Sequence, residues 1–159
     1  MESETAEEHV MPRKRMGAGA LFVDELGRVL LVEPTYKDYW ELPGGVVETN
    51  ESPGAAVMRE IPEELSLAVS LGRLLVLDWV PPGLYPNDGA MVVFDGGVLL
   101  ADDTAKIVLQ AEELRSWAWC DDEEVAKRLP GVLARRVAAA LRARADGTTA
   151  YLEDGSHVA

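Results

Sequence analysis

One segment constrains the fold of this chain more than any other, a predicted helix that begins at about Pro53 and ends near Leu65. Ser52 supplies a side chain that can cap the helix, and proline suits the first helical position. Val57, Ile61 and Leu65 then recur at every fourth residue. This spacing places them in one apolar stripe, so the segment predicts an amphipathic helix that packs on a core.

Short apolar runs on both sides of that helix predict strands. The runs at 17–23 and 29–33 flank an acidic, glycine-containing turn and predict an antiparallel pair. Further strands are predicted at 71–80, 90–100 and 116–120, and further helices at 121–129 and 132–145. This order of elements favours an α/β fold in which helices flank a mixed sheet.

Length and composition are those of one folded domain. The chain has 159 residues, of which 48% are hydrophobic and 27% charged, close to the averages for globular proteins. Residues 1–15 are polar and without periodicity, which predicts a disordered N-terminal arm. We therefore expect one domain over residues 16–145 and a C-terminal tail over 146–159.

Charge and rare residues exclude several classes of function. The formal net charge of −13 disfavours binding to nucleic acid or to an anionic membrane. The single cysteine, Cys120, excludes an intrachain disulfide, and both histidines, His9 and His157, lie near the ends, where a Ser-His-Asp site is improbable. No signal peptide or membrane span is visible, so we expect a cytoplasmic protein.

Three acids on the predicted helix suggest a metal site. Glu60, Glu63 and Glu64 share an arc of roughly 100° on a helix, away from the apolar stripe. Carboxylate oxygens suit Mg²⁺ or Mn²⁺, whereas Zn²⁺ is disfavoured because no histidine or cysteine lies nearby. From residue types alone, a solvated helix face is the alternative.

The spacing of the acids resembles the signature of the MutT-like Nudix hydrolases, G-x5-E-x7-R-E-U-x-E-E-x-G-U, in which U is a bulky aliphatic residue. The matching residues are Gly45, Glu51, Arg59, Glu60, Ile61, Glu63, Glu64 and Leu67. Ser66 replaces the second glycine. The resemblance implies a Nudix-type α/β/α sandwich with a mixed sheet over most of residues 16–145.

The resemblance also implies an activity and roles for individual residues. Glu60, Glu63 and Glu64, with the backbone carbonyl of Gly45, would bind Mg²⁺ or Mn²⁺. Arg59 would pair with Glu51 and hold the loop against the helix. The implied reaction is metal-dependent hydrolysis of the phosphoanhydride in a nucleoside diphosphate linked to another moiety, such as ADP-ribose, a nucleotide sugar or a dinucleoside polyphosphate.

Several questions of mechanism and substrate stay open in the sequence. Glu60 is one candidate for the general base, and Glu112 or Glu113, from a later loop, is another. Tyr36, Trp40 and Tyr85 are candidate substrate-binding residues, since their rings can stack on a base. The partner is a small nucleotide-type molecule, and a homodimer would be usual for the family.

Two departures from the family pattern raise an alternative. Pro62 stands between the acids and should kink or break the helix, because it cannot donate to the carbonyl of Met58. Ser66 must end the helix in a left-handed conformation that glycine adopts more easily. The alternatives are a catalytically attenuated nucleotide-binding module and a nucleoside triphosphate pyrophosphatase.

Overall fold

An acidic turn joins the first two strands, β1 (Arg15–Val23) and β2 (Val29–Pro34). The side chain of Asp24 accepts hydrogen bonds from the backbone N–H groups of Leu26 and Arg28, and Gly27 adopts a left-handed φ of 77°. The computed structural model describes residues 11–158. Within them the two strands pair antiparallel at Val23 and Val29, as the sequence predicts.

The remaining elements complete a mixed sheet with helices on both faces. Their bounds are β3 Gly44–Val46, α1 Pro53–Leu65, β4 Leu74–Val80, β5 Gly89–Val98, α2 Ala101–Thr104, β6 Leu114–Cys120, α3 Asp122–Arg128, α4 Gly131–Asp146, β7 Ala150–Glu153 and β8 Ser156–His157. The strand order is β6-β2-β1-β5-β4-β7-β8, and β3 pairs with β1 outside that path. β1 runs parallel to β5 and β4 parallel to β7, whereas the other pairs are antiparallel. The predicted mixed sheet is therefore confirmed.

Helix α1 has the predicted bounds and buries the predicted stripe. The hydroxyl of Ser52 accepts a hydrogen bond of 3.1 Å from the N–H of Ala55. Val57, Ile61 and Leu65 are fully buried in a cluster with the side chains of β1 and β2 that face α1. Burial of three large aliphatic side chains contributes several kcal/mol, at about 1.5–3 kcal/mol each.

The expected break at Pro62 does not occur. Helix α1 continues through Pro62 to Leu65, and Ser66 then adopts φ 59° and ψ 29°. Proline stands only four residues before this end, and its own carbonyl accepts a hydrogen bond of 3.0 Å from the N–H of Ser66. The buried Ile61 and Leu65 hold the last turn on the sheet, which offsets the hydrogen bond that Pro62 cannot donate.

The opposite face of the sheet is covered by α3 and α4. Their apolar residues, including Val125, Val137 and Ala140, pack on the alternate residues of the same strands. A buried ion pair also joins this layer to the sheet, since Nε of Arg136 lies 2.7 Å from Oδ2 of Asp78. Within residues 11–158, no helix combines the length and the apolar character needed to span a bilayer.

The two ends of the described chain differ from the sequence prediction. Residues 1–10 of the predicted arm lie outside the described residues, as does residue 159, but Arg15 already belongs to β1. The predicted tail carries β7 and β8, which extend the sheet beside β4. This segment is ordered because Asp78 accepts a hydrogen bond from the N–H of Gly155 and Arg135 donates to the carbonyl of Asp154.

Candidate active site

A glycine-rich loop brings the backbone of β3 against β1 and the end of α1. Gly44 has a φ of +147°, and a Cβ there would lie 2.2 Å from the carbonyl oxygen of Ala18. Only glycine fits this position. Its N–H donates a hydrogen bond of 3.1 Å to Oε2 of Glu64, so the loop and α1 are joined at one of the predicted ligand residues.

Gly45 lies directly against Glu60. A Cβ at Gly45 would lie 2.6 Å from the carboxylate carbon of Glu60 and 2.6 Å from its Oε1. The absent side chain therefore leaves room for this carboxylate beside the loop backbone. The carbonyl of Gly45 is a predicted metal ligand and belongs to the same loop.

Arg59 connects the loop before α1 to the acids on α1. Its Nε and Nη2 lie 2.8 and 2.9 Å from the two carboxylate oxygens of Glu51, a bidentate pair. Nη1 donates to Oε1 of Glu60 at 2.9 Å, and Nη2 donates to the carbonyl of Val46 at 3.2 Å. The hydrogen bonds from Arg59 lower the pKa of Glu51 to about 2, so this carboxylate is ionised at neutral pH.

Glu64 is a buried acid among other acids. Only 4% of it is exposed, and burial raises the pKa of its carboxyl to about 8. The N–H of Gly44 opposes this rise in pKa, while the charges of Glu60, Glu41 and Glu113 add to it. Burial also raises the pKa of Glu60. The site thus gathers several carboxylates around the buried Glu64.

The three acids of α1 do not converge on one point as the side chains stand. Glu60 turns toward Arg59 and Glu64 toward Gly44, while Glu63 is half exposed, with its carboxylate 3.7 Å from Arg59. Accordingly, no group of three potential ligand side chains within residues 11–158 is close enough to hold a metal ion without rearrangement. A metal-binding arrangement therefore requires side-chain rearrangement among these acids.

The donor set nevertheless fits a divalent cation. Carboxylate oxygens and a loop carbonyl are the ligands that Mg²⁺ and Mn²⁺ prefer. Burial raises the pKa of Glu64 most, and repulsion from the neighbouring acids adds to it; a cation between these acids would replace that repulsion by attraction. Glu60, Glu63, Glu64 and the carbonyl of Gly45 are thus the residues that would hold the ion.

Glu113 and Glu112 differ in their relation to the carboxylates of α1. The charge of Glu113 contributes to the raised pKa of both Glu60 and Glu64. Both glutamates lie in the exposed turn before β6, and the carbonyls of both accept hydrogen bonds from Thr35. Of the two candidate bases, Glu113 is therefore the one with an electrostatic link to the site.

The candidate aromatic residues lie in two separate loops. Tyr36 is 63% exposed, and the charges of Glu64 and Glu113 act on its hydroxyl. Trp40 packs against the core, and the guanidinium of Arg128 lies 4.3 Å from the centre of its ring. Tyr85 lies in the proline-rich loop between β4 and β5, where Arg15 stacks on its ring at 3.9 Å.

Sequence reasoning missed Glu41 and Lys37. Glu41 forms an isolated bridge with Val32, and its carboxylate lies 2.6 Å from Nζ of Lys37. Its charge also raises the pKa of Glu64. The pattern of the glycine loop gives no sign of this pairing, because it depends on how the loop folds back along β2.

Comparison with known proteins supports the family resemblance that the sequence shows. The family model described as the NUDIX domain matches residues 13–141. A "MutT-like protein" from Streptomyces ambofaciens is 29% identical over 149 residues, which cover 92% of this chain and 88% of that protein. An "RNA pyrophosphohydrolase" from Hydrogenovibrio crunogenus is 30% identical over 121 residues, covering 67% of this chain and 73% of that protein.

A solved structure has the same fold. The crystal structure of a MutT protein from Methanosarcina mazei Go1 superposes with a TM-score of 0.67 and 25% identity, over 87% of this chain and 98% of that one. The family model and these relatives show the class of the protein, hydrolases of phosphoanhydride bonds. The chain belongs to the Nudix family and is a Nudix-type pyrophosphohydrolase.

Proposed function

We propose that the protein hydrolyses the phosphoanhydride bond of a nucleoside diphosphate linked to another moiety, with Mg²⁺ or Mn²⁺ as cofactor. One observation carries the proposal: Glu64 is buried, hydrogen-bonded to the glycine loop, and surrounded by the charges of Glu60, Glu41 and Glu113. Burial among other acids disfavours the charged form of this carboxyl, and a divalent cation bound between the acids would stabilise that form.

The chain's own residues fit the steps of this hydrolysis. A bound divalent cation would screen the charge of the pyrophosphate and acidify a water molecule. Glu113 accepts a proton from the attacking water, whose oxygen forms the new bond to phosphorus as the bridging P–O bond breaks. The bridging oxygen leaves with the second phosphate, so the products are two phosphomonoesters.

Other residues hold the reacting groups in place. Arg59 joins Glu51, Glu60 and the carbonyl of Val46, which fixes the loop relative to α1. Gly44 orients Glu64 through its N–H. Tyr36, on whose hydroxyl the charges of Glu64 and Glu113 act, contacts the substrate, while Trp40 and Tyr85 border it from the two loops.

A catalytically attenuated member of this class, which binds nucleotides with little turnover, is the second candidate. It is favoured by the separation of the three acids, which no metal can bridge until their side chains rearrange. The relative from Hydrogenovibrio crunogenus is named as an enzyme, an RNA pyrophosphohydrolase. Its similarity to this chain favours turnover over the second candidate.

The test is product analysis on a panel of substrates with Mg²⁺ and with Mn²⁺. The panel contains ADP-ribose, UDP-glucose, diadenosine tetraphosphate and the common nucleoside triphosphates. Two phosphomonoesters from ADP-ribose or UDP-glucose, or two nucleotides from diadenosine tetraphosphate, support the proposal. Pyrophosphate released only from triphosphates would replace it with the pyrophosphatase alternative, and nucleotide binding without product would favour the binding module.

A further inference from the structure

Arg128 is the last residue of α3, and its side chain contacts the loop between β2 and β3. Its guanidinium lies 4.3 Å from the centre of the Trp40 ring. Nη1 of the same group lies 3.4 Å from Sγ of Cys120, which is buried at the end of β6. The carbonyl of Arg128 also accepts a hydrogen bond of 3.2 Å from the N–H of Trp40. Arg128 therefore holds both the ring and the backbone of Trp40.

Helix α3 gives Arg128 a fixed position. The side chain of Asp121 caps the helix, because it accepts a hydrogen bond of 2.9 Å from the N–H of Glu124. Val125, on the helix, and Leu129, just after it, are buried in the core cluster against which Trp40 packs. A helix that is capped at its start and anchored along its inner face resists displacement, so Trp40 has a rigid partner.

The segment from Trp40 to Gly44 is short and has little freedom. Glu41 exchanges two backbone hydrogen bonds with β2, of 2.9 and 3.0 Å, but this bridge is isolated and belongs to no continuous pair of strands. The ring of Pro43 fixes its φ, and its carbonyl accepts a hydrogen bond of 3.0 Å from the N–H of Ala20. A segment held by so few contacts depends on the anchor at Trp40, and a shift there displaces the glycine loop.

The glycine loop carries this connection to the buried acid. The N–H of Gly44 donates a hydrogen bond of 3.1 Å to Oε2 of Glu64. Hydrogen bonds weaken steeply as their geometry is distorted, and displacement of a reacting group by about 1 Å can cost on the order of 100-fold in rate. Contacts with stated distances therefore lead from α3 to the candidate active site.

The neighbour of Arg128 shows that charge alone does not explain this arrangement. Lys127 also lies in the last turn of α3, where a cation interacts favourably with the helix dipole. Its side chain is 71% exposed and pairs with Glu123 of the same helix at 3.1 Å. The planar contact with Trp40 is what distinguishes Arg128 from Lys127, so the two residues form a matched pair for substitution.

We propose that Arg128 is a positioning residue of the active site, which acts through Trp40 and the glycine loop on Glu64. Its guanidinium holds the Trp40 ring, and Trp40 holds the segment that ends in the N–H of Gly44. In this role it contacts neither substrate nor metal. The inference rests on the proposed function, because it takes the carboxyl of Glu64 to serve the hydrolysis, and it adds α3 to the elements that determine the rate.

Amide hydrogen exchange in the metal-free protein, followed by NMR, tests the positioning without turnover. In Arg128→Ala, the N–H groups of Trp40, Glu41 and Gly44 should exchange at least fivefold faster than in wild type. The amides of β5 should keep their wild-type rates, because the loss is local. Arg128→Lys keeps the charge but not the planar contact, so its rates should lie between those of wild type and Arg128→Ala. Lys127→Ala is the control and should leave all these rates unchanged.

A double-mutant cycle on kcat tests whether Arg128 acts through Trp40. Arg128→Ala should lower kcat at least fivefold at saturating Mg²⁺, for the best substrate of the panel, with a smaller effect on KM. In the Trp40→Ala background, the same substitution should change kcat by less than twofold, because the contact is already absent. Lys127→Ala should have the wild-type kcat. If Arg128→Ala does not fold, Arg128→Lys supplies the same comparisons.

Wild-type exchange at Gly44 in the Arg128 variants, or the same acceleration throughout β5, would overturn the inference. An equal fall in kcat with and without the Trp40 ring would also overturn it. If the wild type hydrolyses no member of the panel, the proposed function fails, and the exchange rates still decide whether Arg128 positions the loop. If the wild type turns over but Gly44 exchanges alike in all variants, the positioning role alone is rejected.

Discussion

The α-carbon of Gly45 faces the carboxylate of Glu60 so closely that a Cβ would lie 2.6 Å from the carboxylate carbon. The backbone of Gly45 is not in the left-handed region, so alanine is compatible with its conformation. The contact with Glu60 therefore decides the effect of a substitution here.

Gly45→Ala should lower kcat by about tenfold or more while the protein stays folded. The added methyl group displaces the Glu60 carboxylate, and misplacement of a ligand by about 1 Å costs on the order of 100-fold. Steady-state kinetics and a melting curve check this expectation. Gly83→Ala, in open space in the proline-rich loop, is the control and should behave as wild type. Wild-type kinetics for Gly45→Ala would show that the Glu60 carboxylate does not need the space beside Gly45.

Arg59→Lys should lower activity although the charge is kept. Lysine cannot form the two parallel hydrogen bonds to Glu51 while also reaching Glu60 and the carbonyl of Val46. We expect a fall in kcat of at least tenfold at saturating Mg²⁺, with the melting temperature within a few degrees of wild type. Arg142→Lys, on α4, serves as the control. An unchanged kcat would mean that the loop does not need this clamp.

The pair of Glu51 and Arg59 should also appear in the acid stability of the protein. Arg59 lowers the pKa of Glu51 from 4.5 to about 2, so the folded state binds fewer protons than the unfolded state in this range. The stabilisation is complete above pH 4.5 and is lost as the pH falls toward 2. Urea unfolding at pH 6 and at pH 3 should therefore show a smaller acid loss for Glu51→Gln than for wild type. Equal losses would contradict the assigned pairing.

Much of the architecture could be predicted from the sequence because it depends on local signals. The bounds of α1 follow from the Ser52 cap, the apolar stripe and the left-handed end at Ser66, all within fifteen residues. The outcome at Pro62 could not be predicted, because tertiary burial of Ile61 and Leu65 determines whether the last turn forms. The strands β7 and β8 were missed because their order depends on Asp78, a distant residue on β4.

The candidate site shows the same division between local and distant contacts. The spacing of the acids identified Glu60, Glu63 and Glu64 as residues of one helix face. Glu41 and Lys37 could not be found in this way, because the position of Glu41 depends on its bridge with Val32. Lys37 then pairs with Glu41. The choice between Glu112 and Glu113 likewise depends on which side chain the turn directs inward.

The ion pair of Asp78 and Arg136 should be a major contributor to stability. Asp78 is fully buried, and it accepts hydrogen bonds from Arg136 and from the N–H of Gly155. Arg136→Met leaves the Asp78 charge unpaired in the core and should cost about 3–5 kcal/mol of unfolding free energy. Arg135→Met, at the exposed neighbour, should cost about 1 kcal/mol or less. Equal losses in urea unfolding would contradict the special role of the buried pair.

Metal binding should stabilise the protein through Glu64. In the metal-free protein, Glu64→Gln removes a buried carboxyl that faces other acids, so its melting temperature should equal or exceed that of wild type. Saturating Mn²⁺ should then raise the melting temperature of wild type by several degrees and that of the variant far less. An equal rise in both proteins would place the metal elsewhere.

The most direct test of the account is turnover by Glu64→Gln. The rate of ADP-ribose and UDP-glucose hydrolysis at saturating Mg²⁺ is compared among wild type, this variant and Glu123→Gln, an exposed glutamate on α3. We expect product from wild type and from Glu123→Gln, and a loss of at least 100-fold in Glu64→Gln with the fold intact. Product formation by Glu64→Gln at the wild-type rate would contradict the assignment of the buried acid to the catalytic site.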